Sequence, residues 1–433
     1  MSETDFVAPG PDPGPGLALD PGPRPTGRRI PSVPPDPALP QIRRLLDPEA
    51  MASVFERSLR AGMQAREIRI RHLRYKPTSS VLVHYDMWVG GEQHEAVVVA
   101  ARDGPVKRAR HFEDALRRRP LHLRHAVARP LRYDAELEAL VQWLPLDIWL
   151  PALAEPSAKL AQALRRQGLE LTEPAPTPVR LSYKPRRRAT LCFGGHLLKA
   201  YAKPADFEAA VSGLKASGAV DGFRTARLEA ALAGLNLTVQ SWVPGDPPSD
   251  ARAAAPLAAR MLRALHHRTV NGSLRPLTVQ AQASAAIASA RLVKILLPPL
   301  GTRLDALARR IDATAPDESS LVASHGDFHA GQLLLDETGE GMIDFDKACA
   351  APPAFDLGNF AARLVGGEDG DLESAASTLD VLVDCYGRPS PGVRWSFAAS
   401  ILRRATSPFR YFQEDWPRRV EGMVEAADRA LAR

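Results

Sequence analysis

The chain has 433 residues, 45% of them hydrophobic, which predicts two or three soluble domains with sizeable cores. Its formal net charge is +6 and its pI is about 9.3, a mild basic bias that fits either an anionic ligand such as a nucleotide or a solvated basic surface. Three widely separated cysteines give no disulfide framework or zinc spacing and favour a reducing cytoplasm, and the absence of a signal pattern or a long apolar run predicts no membrane association.

The N-terminal segment, residues 1–40, is rich in proline and glycine. Such a segment buries too little apolar surface to offset the entropy of ordering it, so we predict a disordered tail. A short helix is expected at residues 39–46 and a longer one at residues 48–62.

An internal near-repeat follows the tail. The first copy begins LRYKPTSSVLVHY at residue 73, and the second begins LSYKPRRRATLCF at residue 181. Each copy continues in the same order with an apolar strand (96–100 and 196–200), a helix opening with Phe-Glu (112–113 and 207–208) and a strand ending with Val-Gln (141–142 and 239–240). This shared order predicts two related α+β lobes that arose by duplication.

The remaining chain reads as helical. Residues 153–168 predict an amphipathic helix between the two lobes, and the proline pair in 175–178 marks a loop. Further helices are predicted at residues 250–267, 276–313 with a Pro-Pro break, 356–365, 374–386, 394–405 and 416–431.

One β-like stretch interrupts this helical half at residues 324–346. Residues 333–335 and 342–343 read as two strands joined by a Gly-containing turn, and such a hairpin brings its two ends together. Asp327, Gln332 and Asp344 should therefore converge. Two carboxylates and an amide oxygen suit Mg²⁺, and one carboxylate is left to accept a proton from an attacking hydroxyl. Asp346 is either a further metal contact or a solvated acid.

These residue types and their spacing match the roles that phosphoryl transfer requires, with Asp327 as the catalytic base and Gln332 and Asp344 as metal ligands. The sequences HGDFHAGQ at 325–332 and IDFD at 343–346 resemble the aminoglycoside phosphotransferase and choline kinase-like superfamily, whose usual form is HGDxHxxN followed by IDF. The segment PAFDLGNF at 353–360 resembles that family's DPxxDL segment.

The resemblance implies an α+β, bilobal, protein-kinase-like fold with a small antiparallel-sheet N-lobe and a helical C-lobe. It also implies a Mg²⁺- and ATP-dependent phosphotransferase that acts on a hydroxyl of a small molecule. Gln332 departs from the usual asparagine, but maltokinase-type sugar kinases are similar in having glutamine here and an N-terminal extension. This similarity favours a sugar or polyol acceptor, with aminoglycosides and amino-alcohols left open.

Three residues around the motif are interpreted as supporting groups. His325 and His329 are expected to hold the catalytic loop through backbone hydrogen bonds rather than to take part in the chemistry. Asp356 is either the N-cap of a helix at 357–364 or, as the resemblance suggests, a brace for the catalytic loop.

The donor site is predicted in the second lobe. Lys199 lies within an apolar strand and should bind the donor phosphates, with Glu208 on the next helix as its ion-pair partner; Lys203 is the rival lysine. The basic turn at 184–188 occupies the place of the family's phosphate loop, as a phosphate contact or as a plain basic turn.

The hinge between the lobes is predicted at residues 240–244, where the backbone at Gln240 would bind adenine and Trp242 and Val243 would wall the pocket. The first lobe has Val99 or Ala100 where Lys199 should align, so it reads as a degenerate copy. It is expected to act as a cap, an interaction surface or part of the acceptor pocket.

The predicted domains are a tail (1–40), a degenerate N-lobe-like domain (41–150), a linker (151–178), a nucleotide-binding N-lobe (179–245) and a helical C-lobe (246–433). The expected ligands are ATP, Mg²⁺ and a small-molecule hydroxyl acceptor, with no nucleic acid and no membrane. The oligomeric state is left open. The alternative function is a non-catalytic pseudokinase that binds or regulates. Glu368, Asp369 and Glu414 are either solvated acids or contacts to a cationic acceptor.

Overall fold

The computed structural model describes residues 33–102, 125–172, 177–218, 220, 222–268, 270, 272–317, 320–366, 372–387 and 392–432. Several predictions concern residues outside these ranges: the tail up to residue 32, the helix opening at 112–113, the first half of the loop at 175–178, and the acids Glu368 and Asp369.

The first part of the described chain forms two helices and a five-stranded antiparallel sheet of order β1-β2-β3-β5-β4. The elements are α1 (Ile42–Leu45), α2 (Pro48–Glu56), β1 (Ala65–Lys76), β2 (Ser80–Val89), β3 (Glu92–Ala101), β4 (Leu131–Asp134) and β5 (Ala139–Trp143). On one face of the sheet, the ring of Phe55 packs edge-on against Tyr85 and Trp143, with centroids 5.1 and 5.7 Å apart.

The predicted tail, residues 1–40, extends too far, because residues 33–40 are packed against the folded chain. Val33 and Leu39 are buried in the core beside the first sheet. The carboxylate of Asp36 accepts 2.8 Å hydrogen bonds from the Tyr75 hydroxyl and from the backbone N–H of Thr78. Because this short segment carries two apolar side chains and a specific acceptor, its burial offsets the cost of ordering it.

The second sheet has the order β10-β11-β8-β7-β6. Read from β6 to β10, this order matches that of the first sheet, with β6, β7, β8, β11 and β10 in the places of β1, β2, β3, β5 and β4. The elements of this part are α3 (Ser157–Arg165), β6 (Val179–Lys184), β7 (Arg188–Phe193), β8 (His196–Tyr201), α4 (Pro204–Ser217), β9 (Arg224–Thr225), β10 (Leu228–Leu232) and β11 (Leu237–Gln240). Side chains of the first sheet, such as Val97, and of the second sheet, such as Leu198, share one apolar cluster.

The two sheets also share a detail of the turn after their first strand. Asp147 accepts hydrogen bonds from the Tyr183 hydroxyl (2.8 Å) and from the Arg186 N–H (3.0 Å), just as Asp36 does from the corresponding tyrosine and turn residue of the first copy. Thr78 and Arg186 both adopt positive φ, +58° and +55°. This correspondence supports the predicted duplication.

The rest of the described chain is helical around short strands. Its elements are α5 (Ala255–His266), α6 (Val279–Leu296), α7 (Gly301–Ala313), β12 (Val322–Ser324), β13 (Leu333–Asp336), β14 (Gly339–Met342), β15 (Cys349–Ala351), α8 (Pro353–Ala362), α9 (Leu372–Tyr386), α10 (Val393–Arg404), α11 (Ser407–Arg410) and α12 (Trp416–Ala432). The predicted helix at 276–313 is divided at Pro298–Leu300, where the Pro-Pro pair removes two backbone donors.

The predicted α+β fold class, with a small antiparallel-sheet lobe and a helical lobe, is confirmed. The predicted β13–β14 hairpin lies where the two lobes meet, since β14 pairs in parallel with β9 and the backbone of Asp246 bonds to that of Leu335 in both directions. Cys192, Cys349 and Cys385 are free thiols. Within the described part of the chain, no helix has both the length and the apolar character needed to cross a bilayer.

Candidate active site at the lobe interface

The hairpin brings the two ends of the catalytic motif together. Leu333 pairs with Met342, so Gln332 precedes the first strand at the point where Asp344 follows the second. The backbone N–H of Ile343 donates to the Gln332 carbonyl (3.0 Å), and the Gln332 amide Nε2 donates to Asp344 Oδ2 (3.3 Å). The strand pairing alone thus positions the two predicted metal ligands next to each other.

Asp344 leaves the strand in the left-handed region, with φ +71° and ψ +46°. Aspartate and asparagine tolerate this conformation better than most other residues. The turn directs the carboxylate toward the sheet lobe, where Oδ1 lies 2.6 Å from Lys199 Nζ and Oδ2 lies 3.1 Å from a guanidinium nitrogen of Arg188.

Asp346 completes a cluster of two acids and two bases. Its carboxylate lies 3.0 Å from Lys199 Nζ and 2.6 Å from Arg188. Because Asp346 is buried, it is not the solvated acid that the sequence left open. Burial alone would lower the pKa of Lys199, but Asp344 and Asp346 outweigh burial and raise it, so the ammonium group stays charged. Likewise, Lys199 and Arg188 hold the pKa of Asp344 well below its ordinary value against the opposing effect of burial.

The predicted ion pair between Lys199 and Glu208 is wrong. Helix α4 turns Phe207, Ala210 and Gly213 toward the protein interior, so Glu208 is rotated by about 100° away from that face. Glu208 is exposed and lines a surface cleft with Ser273 and Arg275. Lys203, the rival lysine, is also exposed and precedes α4.

Arg188 is a site residue that the sequence analysis did not single out. It is the last of three consecutive arginines, and the turn at 184–188 was predicted as a whole to be either a phosphate contact or a plain basic turn. In the structure it opens β7, and Asp344 and Asp346 raise its pKa above the ordinary value although burial opposes this. No feature of the sequence distinguishes it from Arg186 and Arg187, because the choice depends on the register of β6 with β7.

Asp327 lies at the other end of the motif and is buried between two cations. Its two oxygens accept hydrogen bonds from Lys347 Nζ (2.6 Å) and from Arg363 on α8 (2.9 Å). Burial would raise the pKa of Asp327, but Lys347 and Arg363 outweigh burial and keep its pKa far below the ordinary value. The carboxylate is therefore ionised at neutral pH. Neither cation was predicted.

The catalytic loop is braced by Asp356. Its carboxylate accepts hydrogen bonds from the backbone N–H groups of His325 (2.7 Å) and Gly326 (3.0 Å), and His266 Nε2 lies 3.2 Å away. The alternative interpretation of Asp356 as a helix N-cap is wrong, because α8 begins at Pro353 and Asp356 lies within its first turn. Gly326 has φ +82°, and a Cβ there would lie 1.9 Å from the Lys347 carbonyl oxygen.

The two motif histidines contact the backbone, as the bracing interpretation expects. His325 Nε2 lies 2.8 Å from the Ile343 carbonyl oxygen, which ties the loop to the far end of the hairpin. His329 Nδ1 accepts a 3.1 Å hydrogen bond from the Gly331 N–H. Burial, together with Arg363, lowers the pKa of His329 to about 3, so its ring is neutral at physiological pH and able to accept.

The predicted hinge residues lie between the lobes but differ in exposure. Gln240 is buried at the end of β11 and donates to the Thr238 hydroxyl at 3.0 Å. Val243 is buried in a cluster with Leu214, Ala226 and Leu334. Trp242 is 43% exposed, so it does not form a closed wall in this structure.

The residues fit a magnesium ion by the chemistry of their oxygens. Gln332 Oε1 is buried and has no hydrogen-bond partner among the residues that the structure describes, while the Nε2 of the same amide bonds to Asp344. A buried acceptor without a partner, next to a carboxylate, is a suitable place for a hard cation. The described ranges contain no group of three or more His, Cys, Asp and Glu residues that could hold a metal. A site with few carboxylates is compatible with Mg²⁺, which commonly keeps water and phosphate oxygens as ligands.

One part of the chain is similar to a known protein family. Residues 195–387 match the model of the phosphotransferase enzyme family. None of the curated proteins matches the chain.

Among solved structures, the aminoglycoside phosphotransferase APH(3'')-Id from Streptomyces rimosus is 20% identical, with coverage of 57% of this chain and 98% of that one and a TM-score of 0.42. A choline/ethanolamine kinase family protein from Mesorhizobium loti is 16% identical (59% and 91% covered, TM-score 0.42). The macrolide 2'-phosphotransferase MphH from Brachybacterium faecium is 17% identical (64% and 97% covered, TM-score 0.41). At these identities and TM-scores the likeness assigns no substrate, whereas the family match agrees with the motif resemblance. Residues 195–387 are thus similar to the phosphotransferase enzyme family, in the part of the chain that contains the catalytic motif.

Proposed function

We propose that the chain is an ATP-dependent phosphotransferase that transfers the γ-phosphate to a hydroxyl of a small molecule. The observation that carries the proposal is that Gln332 and Lys199 both bond to Asp344, while Asp327 pairs with Lys347, three residues after Asp344. Phosphoryl transfer needs little more than positioned reactants and charges that match the transition state, and these residue types supply both.

Each residue has a role in that reaction. The acceptor oxygen forms a bond to the γ-phosphorus while the bond from phosphorus to the ADP oxygen breaks, and Asp327 accepts the hydroxyl proton. Asp327 first has to exchange a contact with Lys347 or Arg363 for the hydroxyl. Lys347 is the more mobile candidate, since its side chain is 50% exposed. Lys199 and Arg188 are placed to bind the donor phosphates.

Gln332 and Asp344 are the residues that would hold Mg²⁺, with Asp346 beside them. When bound, the ion would neutralise charge on the donor phosphates. We further propose that the adenine lies at the hinge near Gln240, Trp242 and Val243. The boundaries 41–150, 151–178, 179–245 and 246–433 are kept as the proposed domains, the first of them as a copy of the N-lobe that has lost its lysine.

The test is transfer of labelled γ-phosphate from ATP with Mg²⁺ to pools of sugars, polyols, aminoglycosides and amino-alcohols. Asp327→Asn should lower the rate about a hundred-fold or more, because it removes the proton acceptor without changing the shape of the side chain. Asp380→Asn is the matched control, since Asp380 forms only an exposed ion pair with Arg394. Equal rates in wild type and Asp327→Asn would contradict the assignment.

A second candidate function is a non-catalytic pseudokinase. Two observations favour it: both oxygens of Asp344 already bond to cations, and Lys199 pairs with Asp344 and Asp346 instead of the expected Glu208. Thermal stabilisation by Mg²⁺ and ATP without transfer to any pool would favour this candidate over the enzyme.

A further inference from the structure

The surroundings of Asp327 carry more positive charge than the transfer of phosphate from ATP explains. Asp327 is a single carboxylate held by two cations, Lys347 and Arg363. The donor side has its own cations, because Lys199 and Arg188 bind Asp344 and Asp346 instead. The excess charge next to Asp327 therefore belongs to the helical lobe, where an acceptor would lie.

Helix α10 adds two more arginines beside Arg363. Arg403 donates to Asn359 Oδ1 at 2.6 Å and lies over the Phe355 ring at 5.7 Å. No acid in the described part of the chain forms an ion pair with it. The Nε atoms of Arg363, Arg403 and Arg404 are all buried and have no hydrogen-bond partner within the described part of the chain. Burial and the two neighbouring arginines lower the pKa of Arg404 to about 9.

The positive charge continues across α11 to both sheets. Strand β1 packs against α11, and the His72 ring contacts the Tyr411 ring with centroids 5.6 Å apart. Burial, then Arg187 and Arg186 of the second sheet and Arg410 of α11, lower the pKa of Arg74 in β1 to about 10, which indicates that these guanidinium groups share one region. Arg74, Arg187 and Arg410 form no ion pair with an acid among the described residues.

We name this set the arginine strip: Arg363, Arg403, Arg404, Arg410, Arg187 and Arg74. Arg363 pairs with Asp327, but the other five form no ion pair with an acid among the described residues. Guanidinium groups that repel one another destabilise the folded protein unless an anion joins them. The planar guanidinium group matches the oxygens of phosphate and carboxylate groups and binds them in pairs of parallel hydrogen bonds. A cationic acceptor would meet repulsion along the whole strip.

We propose that the acceptor is an anionic polyhydroxyl compound, a sugar or polyol bearing a phosphate or carboxylate group, whose anion binds the arginine strip while a hydroxyl reaches Asp327. This inference rests on the proposed phosphotransferase function and names its substrate class. It also gives the first sheet a role, since Arg74 would contribute to the acceptor site.

The experiment uses the full chain and four acceptors that share one ring: glucose, glucose 6-phosphate, glucuronate and glucosamine. Phosphate transfer from ATP and Mg²⁺ is followed by mass spectrometry at constant ionic strength. The expected result is a kcat/KM for one or both anionic compounds at least about ten-fold above those for glucose and glucosamine, the gain of one charge-assisted contact. Comparison of glucose 6-phosphate with glucuronate shows whether the site prefers a phosphate or a carboxylate group.

Variants test the strip itself. Arg404→Gln and Arg74→Gln should each raise KM for the preferred anionic acceptor about ten-fold or more, an effect on acceptor binding rather than on KM for ATP. Arg410→Gln is added because Arg410 is exposed, so this variant should fold even if the others do not. Arg418→Gln, an exposed arginine on α12, is the matched control and should behave as wild type.

The outcomes separate the two proposals. Transfer to glucose or glucosamine at an equal or higher kcat/KM overturns the anionic acceptor and leaves the phosphotransferase intact. If no compound accepts phosphate, thermal stabilisation decides: stabilisation by an anionic compound that Arg404→Gln or Arg410→Gln abolishes supports the strip, and no stabilisation by either anion overturns it. Failure of ATP with Mg²⁺ to bind overturns the proposed function separately.

Discussion

Lys199 Nζ lies 2.6 Å from Asp344 Oδ1, and the helix residue expected to pair with it, Glu208, is exposed on the outer face of α4. The lysine that is proposed to bind donor phosphates is thus positioned by Asp344 and Asp346 and by the sheet, and Arg188 shares those acids. Removing negative charge from this cluster leaves two cations without compensation.

This arrangement predicts different effects for two acid-to-amide changes. Glu208→Gln should leave kcat and KM for ATP within about two-fold of wild type, because an exposed side chain contributes little. Asp346→Asn should lower the free energy of unfolding by about 3 kcal/mol, because it leaves buried cations without their partner. Urea unfolding and steady-state kinetics measure both. A large fall in kcat or rise in KM for ATP in Glu208→Gln would instead indicate that Glu208 pairs with Lys199 during the reaction, as the sequence predicted.

Gln332 is predicted to hold the metal through its amide oxygen. Gln332→Leu removes that oxygen and should raise the Mg²⁺ concentration for half-maximal rate about ten-fold or more, whereas Gln332→Asn, the residue usual in the family, should retain part of the affinity. Thermal stabilisation by Mg²⁺ in the presence of ADP gives a readout that does not depend on turnover. Unchanged Mg²⁺ dependence in Gln332→Leu would exclude a direct role for this amide.

The convergence of Gln332 and Asp344 could be predicted from the sequence because it depends only on local pairing. A hairpin joins its ends whatever packs around it, and the two-residue turn at 337–338 fixes the register. The helices of the second half were also predictable, since their apolar spacing is set by the face that each helix buries. The correct interpretation of Asp356 followed from the resemblance and not from the helix pattern.

The contacts between elements could not be predicted in this way. Which acid meets Lys199 depends on the rotation of α4 about its axis, and a shift of one residue decides whether Glu208 points in or out. Arg188 belongs to a run of three arginines and Arg363 is an isolated arginine, and at neither place does the sequence distinguish a site residue from a solvated one. The packing of residues 33–40 was missed because a proline-rich composition hides the buried side chains of Val33 and Leu39.

The ion pair between Lys347 and Asp327 predicts a change in pH dependence. Lys347→Gln removes a cation 2.6 Å from the carboxylate, so the pKa of Asp327 should rise from its depressed value. The proposed reaction needs ionised Asp327, so an acid limb of the kcat/KM profile that Asp327 controls should move toward higher pH. Lys215→Gln, an exposed lysine on α4, is the control. If the acid limb lies at the same pH in Lys347→Gln and in wild type, protonation of Asp327 does not control the rate.

Asp356 is predicted to stabilise the fold and the catalytic loop together. Its buried carboxylate accepts hydrogen bonds from His325 N–H and Gly326 N–H, and Asp356→Asn replaces one acceptor oxygen by a donor that faces backbone donors. We expect a loss of about 2–4 kcal/mol in the free energy of unfolding, since buried donors lose a charged acceptor. Asp380→Asn, which removes an exposed ion pair, should cost less than about 1 kcal/mol. Urea unfolding of the three proteins measures the difference, and equal stability of the two variants would show that the brace contributes nothing to folding. If the loop depends on the brace, amide hydrogen exchange at 325–328 should also rise in Asp356→Asn alone, because those N–H groups no longer have a fixed acceptor.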